Sequence, residues 1–215
     1  MSRTDSRPRV RSSSLLLAFA LLTGCVPPGN SSATASSPVT TAPVCEYFGA
    51  RFARVPGWQV EEHREAGEAL SRVDLTGRVG THQILASIIP REIRSSADPT
   101  KTSQTAAYFQ ALRSAMTWTD VSDSTFQAPA RTYPVLFGTE IVHGPISALD
   151  SQQDNTVLLY FPDDFPLGRY FYVFFWTDIH SVGSQPGTLE DLKTLVDSFE
   201  VRASPVGAPS KGCGS

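Results

Sequence analysis

The sequence predicts an α+β fold, with an antiparallel β-sheet, a helix in the middle of the chain and a second helix near its end. Two patterns indicate this class. Several stretches are rich in β-branched and aromatic residues and are separated by turns, whereas two segments carry apolar residues at helical spacing. Because the order of elements does not repeat a strand–helix–strand unit, an antiparallel sheet is favoured over a parallel one.

Each predicted helix has one apolar side. The first covers Ser103–Met116, after start signals at Asp98-Pro99, and its apolar side consists of Thr105, Tyr108, Phe109, Leu112 and Met116. The second covers Leu189–Phe199, and its apolar side consists of Leu189, Leu192, Leu195, Val196 and Phe199. Thr188, followed three residues later by Asp191, is a variant of the capping box that begins many helices.

Six stretches are predicted to be strands. In chain order they are Trp58–Glu62, Leu70–Thr76, His82–Ile89, Thr132–His143, Thr156–Phe161 and Tyr170–Thr177. The last stretch is bulky at almost every position, which favours a central strand covered on both faces. The proline- and glycine-containing segment 162–168 is predicted to join the last two strands as a hairpin loop.

The first 25 residues have the features of an export signal. Four arginines precede the uncharged apolar run Leu15–Leu22, which is too short to span a membrane. Leu22-Thr23-Gly24-Cys25 then resembles the bacterial lipobox, in which diacylglycerol is attached to the cysteine and cleavage makes that cysteine the N-terminus. The sequence therefore predicts a signal peptide at 1–24 and a Cys25 that carries acyl chains such as palmitate. An ordinary signal peptide is the alternative.

A tether is predicted between Cys25 and the folded domain. Residues 26–43 contain no charged and no aromatic side chain, and this composition cannot order itself by burying apolar area. A flexible chain of this length reaches roughly 25 Å. Residue 26 is Val rather than Asp, so the predicted location is the cell membrane or the outer membrane, on the extracytoplasmic side.

The charge balance excludes one class of partner. The whole chain has a formal net charge of −3, and without residues 1–24 it keeps 14 basic and 20 acidic residues, a net charge of −6. No strong basic field is available to bind nucleic acid. The folded domain is expected over Val44–Arg202, followed by a flexible tail at 203–215 that contains several prolines and glycines.

Two cysteines flank the predicted domain. Cys45 and Cys213 form an even pair in an oxidising compartment, so a disulfide between them is favoured. Unpaired thiols or intermolecular bonds are the alternatives. Neither cysteine lies at a predicted helix N-terminus or beside a histidine in the sequence, which argues against a catalytic thiol.

These features together resemble a known family. The signal, the lipobox, the Ser/Pro-rich tether, Pro56-Gly57-Trp58, the mid-chain helix, the aromatic hairpin and the ending Leu-Val-Asp-Ser-Phe-Glu-Val at 195–201 look like the PsbP-like fold. More narrowly, they resemble the LpqN/LpqT-type lipoproteins of mycobacteria and their relatives, over roughly Phe48 to Val201. The resemblance implies a noncatalytic domain that acts by protein contact or small-ligand binding, and some such lipoproteins are linked to the transport of envelope glycolipids.

No catalytic, metal or cofactor motif is found. The four histidines, His63, His82, His143 and His180, lack the spacing of helical metal ligands, and no Cys-x-x-Cys, Gly-x-Ser-x-Gly or phosphate-binding loop occurs. His82 and His143 fall at strand ends, where rim positions are expected. The paired acids Glu61-Glu62 and Asp163-Asp164 are expected to be solvated rather than catalytic.

Two aromatic residues are candidate binding residues. Most of the nine aromatic side chains between Tyr160 and Trp176 are expected in the core. Phe165, between prolines at the predicted hairpin tip, is instead expected to be an exposed docking point. Trp118, directly after the first helix, fits either the core or the rim of a pocket.

The sequence thus predicts a membrane-anchored, noncatalytic binding or accessory domain. Its partner would be an envelope protein or a lipid-like small molecule held between sheet and helix. A hydrolase remains an alternative, and His82, His143 or His180 beside a serine and an acid in a cleft would favour it. A purely structural lipoprotein is the other alternative, against which an apolar pocket of ~300 Å³ or more would argue.

Overall fold

A computed structural model describes residues 43–64, 70–93, 99–129, 131–144, 150–206 and 208–214. The predicted signal peptide, Cys25 and nearly all of the predicted tether lie outside the described residues. In chain order the elements are β1 (Val44–Tyr47), β2 (Ala50–Ala53), β3 (Gln59–Arg64), β4 (Leu70–Val79), β5 (His82–Glu92), α1 (Lys101–Ala115), β6 (Thr119–Gln127), β7 (Thr132–Val142), β8 (Ser151–Tyr160), β9 (Tyr170–Ser181), α2 (Glu190–Asp197), β10 (Glu200–Val201) and β11 (Gly212–Cys213).

The strands form two antiparallel sheets. The larger has seven strands in the order β3-β4-β5-β9-β8-β7-β6, and the smaller has four in the order β10-β2-β1-β11. With two helices added, this architecture is α+β, as the sequence predicts. The six predicted strands all belong to the larger sheet, and β9 lies at its centre, between β5 and β8.

Successive side chains of β9 point to opposite faces of the larger sheet, and each face has its own hydrophobic core. Tyr172, Phe174 and Trp176 belong to a cluster with residues of α2 and the smaller sheet, such as Leu192 and Phe52. Phe171 and Val173 point the other way, into a cluster with Phe109 and Leu112 of α1. The bulky residues of β9 are therefore covered on both faces, because α1 lies on one side and α2 with the smaller sheet on the other.

The start of α1 is fixed by local hydrogen bonds. Thr100 is the N-cap, and its hydroxyl accepts from the backbone N–H of Ser103 while the Ser103 hydroxyl accepts from that of Thr100. The helix α2 begins differently. Its N-cap is Leu189, which makes no side-chain capping bond, so the predicted capping box at Thr188 and Asp191 is wrong.

The C-terminal segment is not a free tail throughout. Gly212–Cys213 pairs with β1, and Lys211 forms an ion pair with Glu46, its Nζ lying 2.7 Å from the carboxylate. The prediction of a flexible tail at 203–215 is therefore wrong for this stretch. The reason is that the disulfide and the strand pairing tie the end of the chain to the smaller sheet.

Candidate functional site

A groove of about 1070 Å³ lies between α1 and the edge of the larger sheet. One side of α1 forms its first wall, and residues of β6, β7 and β8 form the floor and the second wall. The helix residues that line it share the spacing of one helical side; they are Lys101, Thr102, Thr105, Ala106, Phe109, Gln110 and Arg113. Its volume is in the range of pockets that hold small ligands.

The floor of the groove is apolar and rigid. Phe109, Leu159 and Phe161 line it, and all three are buried members of the core on the α1 side of the sheet. Phe161 stacks on Phe171 with ring centroids 5.3 Å apart, which fixes its orientation. An apolar ligand group in the groove would therefore contact packed core side chains rather than a mobile loop.

The rim of the groove is charged. Arg113 of α1 pairs with Asp123 of β6, and Arg131 pairs with Asp163, its Nη2 lying 2.8 Å from the carboxylate. Lys101 lies at the start of α1 and has no ion pair with any described residue. The rim thus has three basic and two acidic side chains, which favours a ligand with a negative group.

Arg131 lies where the groove meets a second cavity. This cavity, of about 710 Å³, is also lined by Arg131, Tyr133 and Asp163, and it extends along Tyr160 towards the end of α2. The guanidinium of Arg131 lies 5.3 Å from the centroid of the Tyr160 ring, a cation–π arrangement. Its Nη1 also donates a long hydrogen bond, 3.4 Å, to the carbonyl of Phe161.

The two tyrosines beside Arg131 remain neutral at ordinary pH. Burial, together with the neighbouring Tyr160, raises the pKa of Tyr133 to about 12. Burial likewise raises the pKa of Tyr160. The two rings stack with their centroids 5.8 Å apart, so Arg131 rests on a fixed, uncharged aromatic support.

A separate cluster of histidines and carboxylates lies at the opposite end of β8 and β9. Nδ1 of His82, the first residue of β5, is 2.8 Å from Asp178 Oδ1, and Nε2 of His180 is 3.0 Å from Asp154 Oδ2. The two imidazole rings are 5.2 Å apart. Asp178 also accepts a hydrogen bond of 2.6 Å from the backbone N–H of Gly187, which fastens the β9–α2 connection to the sheet.

The surroundings of His180 favour the charged imidazolium. Nε2 faces the Asp154 carboxylate and Nδ1 faces the carbonyl of Ser181 at 3.1 Å, so the protonated ring can donate to both acceptors. Burial opposes the charged form, but these acceptors outweigh it and the pKa of His180 is raised. Burial likewise opposes ionisation of Asp154, yet hydrogen bonds from Gln152 and His180 hold its pKa below the ordinary value.

A hydroxyl bonded to this cluster is that of Thr139, which donates to Asp154 at 3.3 Å. Among the described residues, no serine or cysteine side chain is hydrogen-bonded to His82 or His180. No group of three or more His, Cys, Asp or Glu in the described part of the chain is arranged to hold a metal ion.

The cysteine pair is joined. Cys45 and Cys213 form a disulfide with an S–S distance of 1.97 Å, and they are opposite each other in the β1–β11 pair. The predicted disulfide is therefore present in the structure. Both sulfurs are consumed by the bond, which leaves neither thiol available as a nucleophile.

The prediction that Phe165 is an exposed docking point is wrong. Its side chain is 8% exposed and packs edge-on against Phe161, with ring centroids 4.8 Å apart. The loop folds Phe165 back into the core and exposes Leu167, at 88%, in its place. Trp118 is half-buried and packs on the α1-side core, where the absence of a Cβ at Gly138 makes room for its ring.

The remaining candidates are at the surface. His143 is exposed beside Asp150, as expected of a rim histidine, whereas His82 is largely enclosed by its bond to Asp178. Glu61 and Glu62 are exposed, and so are Asp163 and Asp164, as the sequence predicts. Arg131 is not predicted from the sequence. It is a single arginine in a turn, and no pattern around it indicates that it lies between two cavities.

No protein-family model matches the chain, and no curated protein matches it. Within the described residues, no helix combines the length and the apolar character required to cross a membrane.

Proposed function

We propose that this protein is a noncatalytic, lipid-anchored binding protein of the bacterial cell envelope, and that it holds an elongated amphiphile in the groove beside α1. The observation that carries the proposal is the groove itself, which has a volume of about 1070 Å³, an apolar floor and a charged rim. An amphiphile matches this division, since its chain would lie on the floor and its polar group would reach the rim.

The anchoring part of the proposal comes from the sequence. Cys25 would carry the lipid, and residues 26–43 would let the domain stand roughly 25 Å from the bilayer. Two acyl chains anchor a protein stably where one does not. The net charge of −6 that remains after residues 1–24 are removed would repel anionic head groups, so the lipid rather than the domain surface would hold the protein at the membrane.

We also propose kinship with the PsbP-like fold and, within it, with LpqN/LpqT-type lipoproteins. An antiparallel sheet with α1 on one face and a C-terminal helix on the other supports the wider likeness. The narrower likeness rests on the lipobox, the tether and the sequence 195–201.

Two observations support the enzyme alternative. His82 and His180 meet Asp178 and Asp154, and a cavity of about 480 Å³ is lined by these two carboxylates. A hydrolase also requires a nucleophile or an activated water, and no serine or cysteine side chain of the described residues is hydrogen-bonded to either ring. Binding without catalysis therefore remains the proposal. A purely structural role is disfavoured by the volume and the apolar floor of the groove.

A pair of neighbouring alanines on α1 allows a direct test. Ala106 lines the groove, whereas Ala107 is exposed outside it. The neutral dye N-phenyl-1-naphthylamine, which fluoresces in apolar surroundings, should bind the purified chain saturably and be displaced by 1-decanol. Ala106→Trp places an indole ring inside the groove and should weaken dye binding by about tenfold or more, which corresponds to ~1.4 kcal/mol.

Ala107→Trp is the matched control, because it adds the same side chain and the same helix-propensity cost on the other side of α1. It should leave dye affinity unchanged. Equal dye affinity in the wild type and in Ala106→Trp would show that the groove is not the binding site.

A further inference from the structure

Arg131 is held ready for a ligand before any ligand arrives. Its guanidinium lies over the Tyr160 ring, and Tyr160 in turn stacks on Tyr133. A guanidinium offers a planar fork of N–H donors that matches the two oxygens of a carboxylate or phosphate. Because the aromatic rings already restrict this side chain, binding an anion would cost little further ordering.

The present partner of Arg131 is a replaceable one. Asp163 lies in the loop between β8 and β9, and its side chain is 86% exposed, whereas that of Arg131 is 33% exposed. An ion pair with one partner so open to water contributes little to stability, since solvent screens the attraction and the side chains lose freedom. A ligand anion at the same place could take over the guanidinium while Asp163 turns back to water.

The charges around Arg131 differ between its two sides. In the groove, Lys101 has no ion pair with a described residue and the tyrosines beside Arg131 are neutral, whereas Asp164, Asp197 and Glu200 line the second cavity. A negative group is therefore favoured on the groove side of Arg131. The apolar floor at Phe161 and Leu159 belongs to the same groove. A ligand whose anionic head binds Arg131 could therefore place its apolar chain on this floor.

We propose that the ligand of the groove is an anionic amphiphile with a single apolar chain, whose carboxylate or phosphate replaces Asp163 on the guanidinium of Arg131. This inference rests on the proposed function and adds the charge of the ligand to it. In the absence of ligand, Asp163 acts as an internal substitute for the anionic head. Arg131 is accordingly the residue that distinguishes charged from neutral amphiphiles.

The test compares three amphiphiles of equal chain length, decanoate, decyl phosphate and 1-decanol, by calorimetric titration into the full chain at low salt. Decanoate and decyl phosphate should bind more tightly than 1-decanol. Arg131→Gln should weaken the binding of both anions by roughly tenfold or more, as expected for hydrogen bonds to a charged group, and leave 1-decanol unaffected. If decanoate binds and decyl phosphate does not, the head is a carboxylate; the reverse result assigns a phosphate.

Asp163→Asn is a second test variant. It should not disturb the core, because the side chain of Asp163 is exposed. Removing the internal substitute should tighten the binding of decanoate several-fold. The matched control is Asp164→Asn, which removes the same charge from the next residue of the loop, a residue that lines only the second cavity. It should change decanoate affinity far less than Asp163→Asn does.

The outcomes separate the two proposals. Equal affinity of the wild type for decanoate and 1-decanol, or equal effects of Asp163→Asn and Asp164→Asn, would overturn the anionic ligand and leave the binding groove in place. If none of the three amphiphiles binds, the proposed function fails as well.

Discussion

At the scale of single residues, the His180–Asp154 pair makes stability depend on pH. The pKa of His180 is raised above its ordinary value of 6.5, so its stabilising contribution is complete below about 6.5 and is lost as pH rises through the raised pKa. The pKa of Asp154 is lowered below its ordinary value of 3.8. Its contribution is complete above about 3.8 and is lost as pH falls through the lowered pKa.

The free energy of unfolding should therefore decline from pH 6.5 upwards, with a slope from His180 of at most about 1.4 kcal/mol per pH unit. Denaturant titrations in this range would measure the decline. His180→Gln should flatten it, while His143→Gln, which removes a histidine whose side chain is 80% exposed, should not. If the free energy of unfolding of His180→Gln declines with pH as steeply as that of the wild type, the proton is lost from another group.

Single residues also show how far the sequence predicts a site. The burial of Tyr172 and Trp176 follows from the bulk of β9, and the pairing of Cys45 with Cys213 follows from their even number. The inward turn of Phe165 does not follow, because prolines and acids around it indicate a turn and say nothing about where the ring points. The meeting of His82 with Asp178, 96 residues apart, depends on strand order that no local pattern records.

At the scale of elements, the local spacing of apolar residues predicts a helix or strand correctly where that element buries one face. Both helices are predicted to within a few residues, and so are β5, β7 and β9. The sequence does not reveal β6, since Thr119–Gln127 is mostly polar and exposed, as befits an edge strand that needs no buried face. The four short strands of the smaller sheet, β1, β2, β10 and β11, are also missed, because four residues or fewer carry too little alternation to be recognised.

The disulfide is expected to stabilise the smaller sheet. It joins residues 168 apart and closes almost the whole described domain into one ring. Cys213→Ser should lower the free energy of unfolding by about 2–5 kcal/mol, because the unfolded chain gains freedom. Thermal unfolding would measure this effect, at about 2–4 °C of midpoint per kcal/mol for a chain of this size.

Reduction provides the control for that substitution. Dithiothreitol should lower the midpoint of the wild type to that of Cys213→Ser and should not lower the midpoint of the variant further. An unchanged midpoint in Cys213→Ser would contradict this expectation and would mean that the disulfide constrains only the end of the chain.

At the scale of the whole molecule, the groove and the histidine cluster occupy opposite faces and opposite ends of the larger sheet. The groove lies on the α1 side, at Thr132–Pro134 of β7 and Leu159 of β8. The histidine cluster lies at the far ends of β8 and β9, on the face that carries Trp176. This separation lets the cluster fasten the β9–α2 connection while the groove remains open for a ligand.

Native mass spectrometry of the chain purified from a bacterial envelope tests most directly whether the groove holds a ligand. The wild type and Ala107→Trp should carry a noncovalent mass excess that disappears on denaturation, and Ala106→Trp should lack it. The mass of the released molecule would identify its class, and an acidic molecule would agree with the role of Arg131. A wild type without excess mass, or an excess that Ala106→Trp retains, would contradict the proposal that this protein holds an amphiphile beside α1.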